Sequence, residues 1–332
     1  MPDYDFSKVG AAIVDSQHST LRLFRDVLIR VGFGKVETYG SFLEAAAPLR
    51  EATPELIVLG CDGDDAADAF KLVRTLRNDA ATQNPYAGII VTSWLPTQAL
   101  LARVSAAGAD DLLMKPVSPQ QVWDRIAVLM EGRKRFVVTA DYTGPDRRKT
   151  WRPGAQVPLI EVPNLLRLKA TGCETPTTLR RLVAEANAQI NEQKLIRIGV
   201  QIAFLLEFAS SGLSAVPPER LVVEHLARVP GFLDEMQHRL SDQLAPDEAG
   251  GAPIPAKAVC QELKTLVERI RARAEKESID DVTQMRAWDL ACALMQATDA
   301  KRPLSAMTRE VLAAVAAYRS QLQQLAQAKA AS

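Results

Sequence analysis

Cysteine is scarce and unpaired in this sequence. Cys61, Cys173, Cys260 and Cys292 are scattered, with no Cys-x-x-Cys pair, which argues against a disulfide frame or a zinc site. Histidine occurs three times, never within helical reach of a cysteine or of a carboxylate cluster, so a transition-metal site is not expected either. Net charge is also missing: Lys+Arg and Asp+Glu are 40 each. A chain dedicated to nucleic acid normally carries a basic face, so none is expected as a partner. The opening MPDYDFSKVG has no basic segment followed by an apolar one, so no secretory signal is expected and the cytoplasm is the expected location. The longest apolar stretch runs from Ile198 to Val216, but Gln201, Glu207 and several serines interrupt it. It reads as a buried helix and not as a membrane span.

What is present divides the chain into two textures. Short β-rich runs alternate with helical patterns at the start: Ala11–Val14, Lys35–Tyr39, Leu56–Leu59, Ile89–Thr92 and Asp111–Met114 read as strands. Between and after them come helices from Ser19, from a Ser41 cap to about Arg50, from Ala66 to Leu76, from Pro96 to about Ala106, and from a Ser118 cap to about Gly132. Five such units in residues 8–132 predict an α/β domain, a flavodoxin-like, doubly wound, five-stranded parallel sheet. Residues 133–175 are rich in Pro, Gly and charge and read as a linker or extended arm. Residues 176–330 are helical in pattern throughout and predict an all-α bundle. Thr175-Pro176 opens its first helix, which runs on or restarts before Gly212. Shorter helices follow over Pro217–Val229 and Phe232–Leu244, split by Pro230-Gly231. Three more lie at Ala256–Lys276, Asp281–Ala297 and Ser305–Lys329. The last carries an apolar stripe that serves the domain core, or a homodimer seam as the alternative.

Open parallel sheets bind ligands beyond the carboxyl ends of their strands. There lie Asp15 and Ser16 after the first strand, Gly60, Cys61 and Asp62 after the third, Thr92 and Ser93 after the fourth, and Lys115-Pro116 after the fifth. An acid, a hydroxyl and an ammonium converging on one rim suit an anion, or a hard cation together with a phosphoryl group.

The segments AAIVDS, PELIVLG, IIVTS and GADDLLMKP resemble the receiver domain of bacterial two-component response regulators, over residues 8–132. The resemblance implies a CheY-like fold, usually with a cis Lys-Pro peptide. It also implies a lysine on the phosphoryl group (Lys115), a responding hydroxyl (Thr92) and a first metal-site acid (Asp15). It implies equally that three family features are missing: the phosphate-accepting aspartate is Gly60, the second metal-site acid is Ser16, and the aromatic switch residue is Leu112. Glycine offers no nucleophile, and a pocket short of two carboxylates should hold magnesium poorly. The expectation is therefore a pseudo-receiver without catalysis, metal or cofactor, docking or dimerising independently of phosphorylation. Its partners would be proteins, such as a histidine kinase or a downstream signalling protein. The rival is an active receiver in which Asp62, two residues on, accepts phosphate with magnesium held by Asp15 and Asp62. The acidic run Asp62, Asp64, Asp65, Asp68 reads otherwise as a solvated loop whose Asp64 or Asp65 caps the next helix. A transcription regulator with a helical DNA-binding output is a third reading.

Two further motifs are set aside. Gly144–Arg152, with Arg148 and Arg152 four apart, resembles the start of cyclic-dinucleotide-binding PilZ domains, but no barrel pattern or Asp/Asn-x-Ser-x-x-Gly motif follows. A basic linker docked on one of the two domains is expected there. His225 and His238 lie on helices without the surroundings of a phosphotransfer histidine.

Overall fold

The computed structural model describes residues 4–52, 54–62, 66–79, 81–95, 97–147, 157–172, 175–216, 218–242, 254–274 and 277–330. The chain divides into two compact units, Met1–Ile190 and Asn191–Ser332.

In the first unit the buried strands are near-continuous apolar runs, as a sheet covered on both faces requires. They are β1 (Gly10–Val14), β3 (Leu56–Gly60) and β4 (Gly88–Ser93), flanked by the edge strands β2 (Lys35–Tyr39) and β5 (Asp111–Met114). All pair in parallel in the order β2-β1-β3-β4-β5. That is the flavodoxin- and CheY-type doubly wound order, whose switch point lies between β1 and β3.

The helices are α1 (His18–Val31), α2 (Phe42–Glu51), α3 (Ala66–Asn78), α4 (Gln98–Ala107) and α5 (Pro119–Glu131). Their ends follow from local chemistry. Ser41 accepts from the Glu44 amide, Ser118 closes a capping box with Gln121, and Gly32 ends α1 in the left-handed region. Helix α4 is capped by Thr97, two residues into the expected span; Pro96 lies outside the described residues. Alternation along each strand sends Ile13 and Val58 to the α1/α5 face and Val14 and Leu59 to the α2/α3/α4 face, giving the sheet two separate cores.

Residues 133–175, expected as a linker, carry structure of their own. Strands β6 (Phe136–Val138), β7 (Thr143–Pro145) and β8 (Leu159–Ile160) make a small antiparallel sheet, and α6 (Leu165–Thr171) follows. Phe136, Val138 and Ile160 share a core with Tyr86 and with Ala186 and Ile190 of the next helix. Leu166 and Ala170 join the α1/α5 core. The compact unit thus extends to Ile190, where the sequence placed an edge at residue 132.

Polar groups fasten this addition. The buried Arg77 guanidinium donates to the carbonyls of Gly108 (3.0 Å) and Ala87 (2.9 Å) and to Asp110 Oδ2 (2.8 Å). Arg133, just before β6, reaches the other Asp110 oxygen at 3.2 Å and the Tyr86 carbonyl at 2.6 Å. Both guanidinium groups stand over the Phe136 ring, at 5.3 and 5.4 Å. Burial pushes the Arg77 pKa down to about 10, which leaves it cationic at neutral pH. Gly108, at φ 96°, ends α4, and a Cβ there would lie 2.9 Å from the Thr143 carbonyl oxygen, so both backbone conformation and the approach of β7 call for glycine. Arg147 Nη1 donates to Ser105 Oγ of α4 at 3.1 Å; the Arg148 and Arg152 positions lie outside the described residues.

The second unit is all helix, as expected. Helix α7 (Pro176–Leu213) runs unbroken from the first unit into the second, followed by α8 (Arg220–Leu226), α9 (Val229–Asp242), α10 (Ile254–Ala274), α11 (Asp281–Thr298) and α12 (Leu304–Ala330). Pro230-Gly231 falls inside the first turn of α9, where proline's missing N–H costs nothing, and does not divide two helices there. Helix α7 is long and apolar enough to cross a membrane, but Ile198, Ile202, Leu205 and Ala209 are fully buried among the other helices, as for a core helix. On α12, Met307, Val311 and Val315 are buried, whereas Leu312 and Leu325 of the same stripe are exposed. His225 bonds the Leu221 carbonyl and Tyr318 Oη and packs on Phe208; His238 is exposed. Of the cysteines, Cys61, Cys260 and Cys292 form no disulfide among the described residues, and Cys173 lies outside them.

Candidate functional site

The rim at the carboxyl ends of β1, β3, β4 and β5 brings together Asp15, Gly60, Asp62, Thr92 and Lys115. Asp15 leaves β1 buried at 4% exposure, and its Oδ1 accepts the Gln17 amide at 2.8 Å. Lys115 leaves β5 before the cis Lys115-Pro116 bond and is buried to the same 4%. Its ammonium donates to Asp15 Oδ2 at 2.6 Å and to Asp62 Oδ2 at 2.8 Å. A buried ammonium is tolerable only when anions replace its lost hydration, and two carboxylates do so here.

Asp62 is not part of a solvated loop. Its carboxylate returns to the rim and takes donors on both oxygens: Lys115 on Oδ2, and Ser93 Oγ (2.9 Å) and the Trp94 amide (2.8 Å) on Oδ1. Partial burial works to raise its pKa, but the hydrogen bonds from Lys115, Trp94 and Ser93 outweigh it and hold the carboxyl below the usual carboxylate range. A two-residue step preserves strand parity, which is how a residue two past Gly60 can reach the same rim. Asp64 and Asp65, the expected cap residues, lie outside the described residues; Asp68 is exposed in the first turn of α3.

Gly60 ends β3 opposite Thr92. A Cβ at residue 60 would stand 2.1 Å from Asp15 Oδ2 and 2.5 Å from its Cγ. The Asp15 carboxylate fills the volume that a side chain on β3 would need. Thr92 is fully buried, its hydroxyl 3.4 Å from the Leu59 carbonyl oxygen. Ser16 is exposed, and Leu112 packs against the α2/α3/α4 core.

A magnesium ion does not fit these residues as they stand. The two rim carboxylates are spanned by the Lys115 ammonium, Ser16 points no anionic oxygen at them, and among the described residues no group of three His, Cys, Asp or Glu side chains could hold a metal. What the arrangement does chemically is bind itself: two carboxylates, one ammonium, one hydroxyl and two amides form a network joining the ends of β1, β3, β4 and β5. Ser93 and Trp94 were the parts hardest to foresee, because their role depends on where the Asp62 backbone goes after β3.

Among solved structures, the first third of the chain is similar to receiver domains. Chemotaxis protein CheY4 of Vibrio cholerae is 21% identical, with 36% of this chain and 96% of that chain covered and a TM-score of 0.32. A CheY-like receiver domain from Methanospirillum hungatei JF-1 is 22% identical over 36% of this chain and 90% of that one, also at 0.32. The isolated receiver domain of RcsB from Salmonella enterica is 18% identical over 38% and 91%, at 0.33. No family model matches the chain, and no curated protein matches it.

Proposed function

We propose that this chain is a signalling protein of the two-component type whose receiver-like unit works without phosphorylation, as a preformed protein-docking or dimerisation module joined to a helical output unit. It acts in the cytoplasm, catalyses no reaction and needs no metal or cofactor. Its partners are proteins, a histidine kinase or a downstream signalling protein. The observation that carries this reading is the pairing of Gly60 with Asp15. The strand that would present an acceptor carboxylate ends in a residue without a side chain, and a neighbouring carboxylate clamped by Lys115 occupies the space. Acyl-phosphate formation needs a carboxylate oxygen with a free lone pair aimed at the phosphoryl donor, and a divalent ion to offset charge. Here β3 ends without a carboxylate, and the two acids beside it, Asp15 and Asp62, are both bonded to the Lys115 ammonium.

A second reading is favoured by one contact, the 2.8 Å bond between Asp62 and Lys115, which puts an acid beside the family's lysine. In that reading Asp62 accepts phosphate. Attack through Oδ2 would require the Lys115 ammonium to move aside or share that oxygen, while Ser93 and the Trp94 amide could stay on Oδ1. Incubation of the chain with acetyl phosphate and magnesium, followed by intact-mass measurement, separates the two. The expected result is an unchanged mass. A phosphate adduct that disappears in Asp62→Ala overturns the proposal in favour of the second reading.

A further inference from the structure

The helical unit holds a groove of about 370 Å³ between α7, α10 and the start of α11. Leu206, Leu213 and Ile270 form its apolar floor, and Trp288 and Met285 stand on its α11 side. Val282 and Met285, one turn apart on α11, are 78% and 65% exposed. Large apolar side chains that exposed, one turn apart beside a groove, mark an interaction surface more often than scattered surface residues do. The groove's polar groups are of one sign. Glu207 lies half-buried on α7 and Asp281 sits in the first turn of α11. Its neutral polar residues are used internally: Gln284 donates to Ser214 Oγ and to the Ile279 carbonyl, and Ser210 donates to the Glu207 carbonyl. Arg319, whose charge bears on Glu207, donates its Nη2 to the Glu207 and Phe208 carbonyls. Among the described residues no hydrogen bond or ion pair reaches the Glu207 carboxylate, and burial raises its pKa although Arg319 works to lower it. The groove therefore presents an apolar floor and, at Glu207, a half-buried carboxylate that only the more distant charge of Arg319 offsets among the described residues.

We infer that this groove docks an amphipathic helix of a partner protein, whose apolar residues fill the floor between α7 and α11 and whose lysine or arginine pairs with Glu207. The charge selects this occupant from the alternatives. In a two-fold dimer through the same face, Glu207 and Asp281 of one copy would oppose their own counterparts, which repels. An anionic membrane surface is repelled by the same acids. A basic, apolar helix in a groove satisfies both the surface and the charge.

The test uses the full chain with methyl-¹³C methionine and a synthetic helical peptide that carries leucines along one face and lysines at its edge. A counterpart peptide has glutamates in place of the lysines. The lysine peptide should shift the Met285 methyl signal saturably, and the glutamate peptide should not. Glu207→Gln should weaken binding roughly tenfold, the value of one charge-assisted hydrogen bond. Met285→Asp, at an exposed position where folding is not at stake, should abolish it, while Leu325→Asp on exposed α12 should leave it unchanged. Equal binding of both peptides, no Met285 shift up to millimolar peptide, or full affinity in Glu207→Gln overturns the inference. So does a concentration-dependent dimer that Met285→Asp dissolves, which would assign the face to a second copy.

Discussion

Replacing Gly60 by alanine tests the closed rim directly. The added Cβ would stand 2.1 Å from Asp15 Oδ2, 2.5 Å from Cγ and 3.1 Å from the Asp15 Cβ. Ordinary carbon contacts need about 3.5 Å. The carboxylate must therefore retreat by more than an ångström, and rotation about its own side chain cannot relieve the contact with Cβ. A retreat of that size breaks the 2.6 Å bond to Lys115. Removing one partner of a buried ion pair costs about 3–5 kcal/mol. Lys115 keeps Asp62 and Asp15 keeps the Gln17 amide, so the expected cost lies at or just below the bottom of that range, about 2–3 kcal/mol. In an Asp15→Gly background the carboxylate and its Cβ are both gone, and Gly60→Ala should become neutral or stabilise by up to about 1 kcal/mol through lower chain entropy. The coupling between the two sites is then about 3 kcal/mol, the upper end for residues in contact. Native-state hydrogen exchange of β1 and β3 amides reads this in the full chain: Gly60→Ala alone should speed exchange roughly 100-fold. Strict additivity of the two substitutions, or a Gly60→Ala cost below about 0.5 kcal/mol, refutes the reasoning.

The same rim sets a pH dependence. Asp62 titrates lower in the folded than in the unfolded chain, so it contributes stability above about pH 4 and loses it as pH falls through its folded-state pKa. Acid titration by circular dichroism should show a shallower loss below pH 4 in Asp62→Asn than in the parent chain; parallel curves would contradict the assigned hydrogen bonds. Asp110→Ala leaves the Arg77 and Arg133 guanidinium groups without their shared anion and should destabilise the first unit by about 3–5 kcal/mol in urea melts. Truncation after residue 132 removes Arg133 and Phe136 from over Tyr86 and Arg77, so a 1–132 fragment should aggregate or exchange broadly, whereas a 1–190 fragment should give a dispersed amide spectrum. A well-folded 1–132 fragment would show the small sheet to be an ornament.

The sheet was legible because its signals are local. Val14 ends an apolar run before Asp15, Ser41 and Ser118 are capping hydroxyls, and Gly32 and Gly108 stop helices in the backbone region that glycine favours. Strands β6, β7 and β8 were not legible, being two or three residues long and set among prolines and glycines. Three residues show no period. What makes them strands is the tertiary cover over Tyr86 and the charges of Arg77 and Asp110, groups more than twenty residues away in sequence, which Arg133 just before β6 joins. Helix α7 was ambiguous for the converse reason. Its serines and Gly212 weaken the local pattern, and burial of Ile198 to Ala209 in the bundle holds it together.

The rim shows where residue-by-residue reading works and where it stops. Matching strand ends brings Asp15, Gly60, Thr92 and Lys115 to one rim, because a parallel sheet aligns those ends by its register. Asp62 lies beyond the register, and parity alone said only that its side chain could face the rim. Electrostatics decides that it does. Lys115 is buried, and with Gly60 ending β3 Asp15 is the one other anion bonded to it among the described residues. One carboxylate replaces the hydration of a buried ammonium incompletely. A second acid within reach is therefore drawn in, and it also satisfies the Ser93 hydroxyl and Trp94 amide at the end of β4. Loss of the strand-3 carboxylate and recruitment of Asp62 are thus two sides of one charge balance. Charge-neutral Lys115→Met should consequently release Asp62, leaving Ser93 and Trp94 without their acceptor and speeding amide exchange at residue 94. Unchanged protection there would mean that the loop backbone, and not the ammonium, places Asp62.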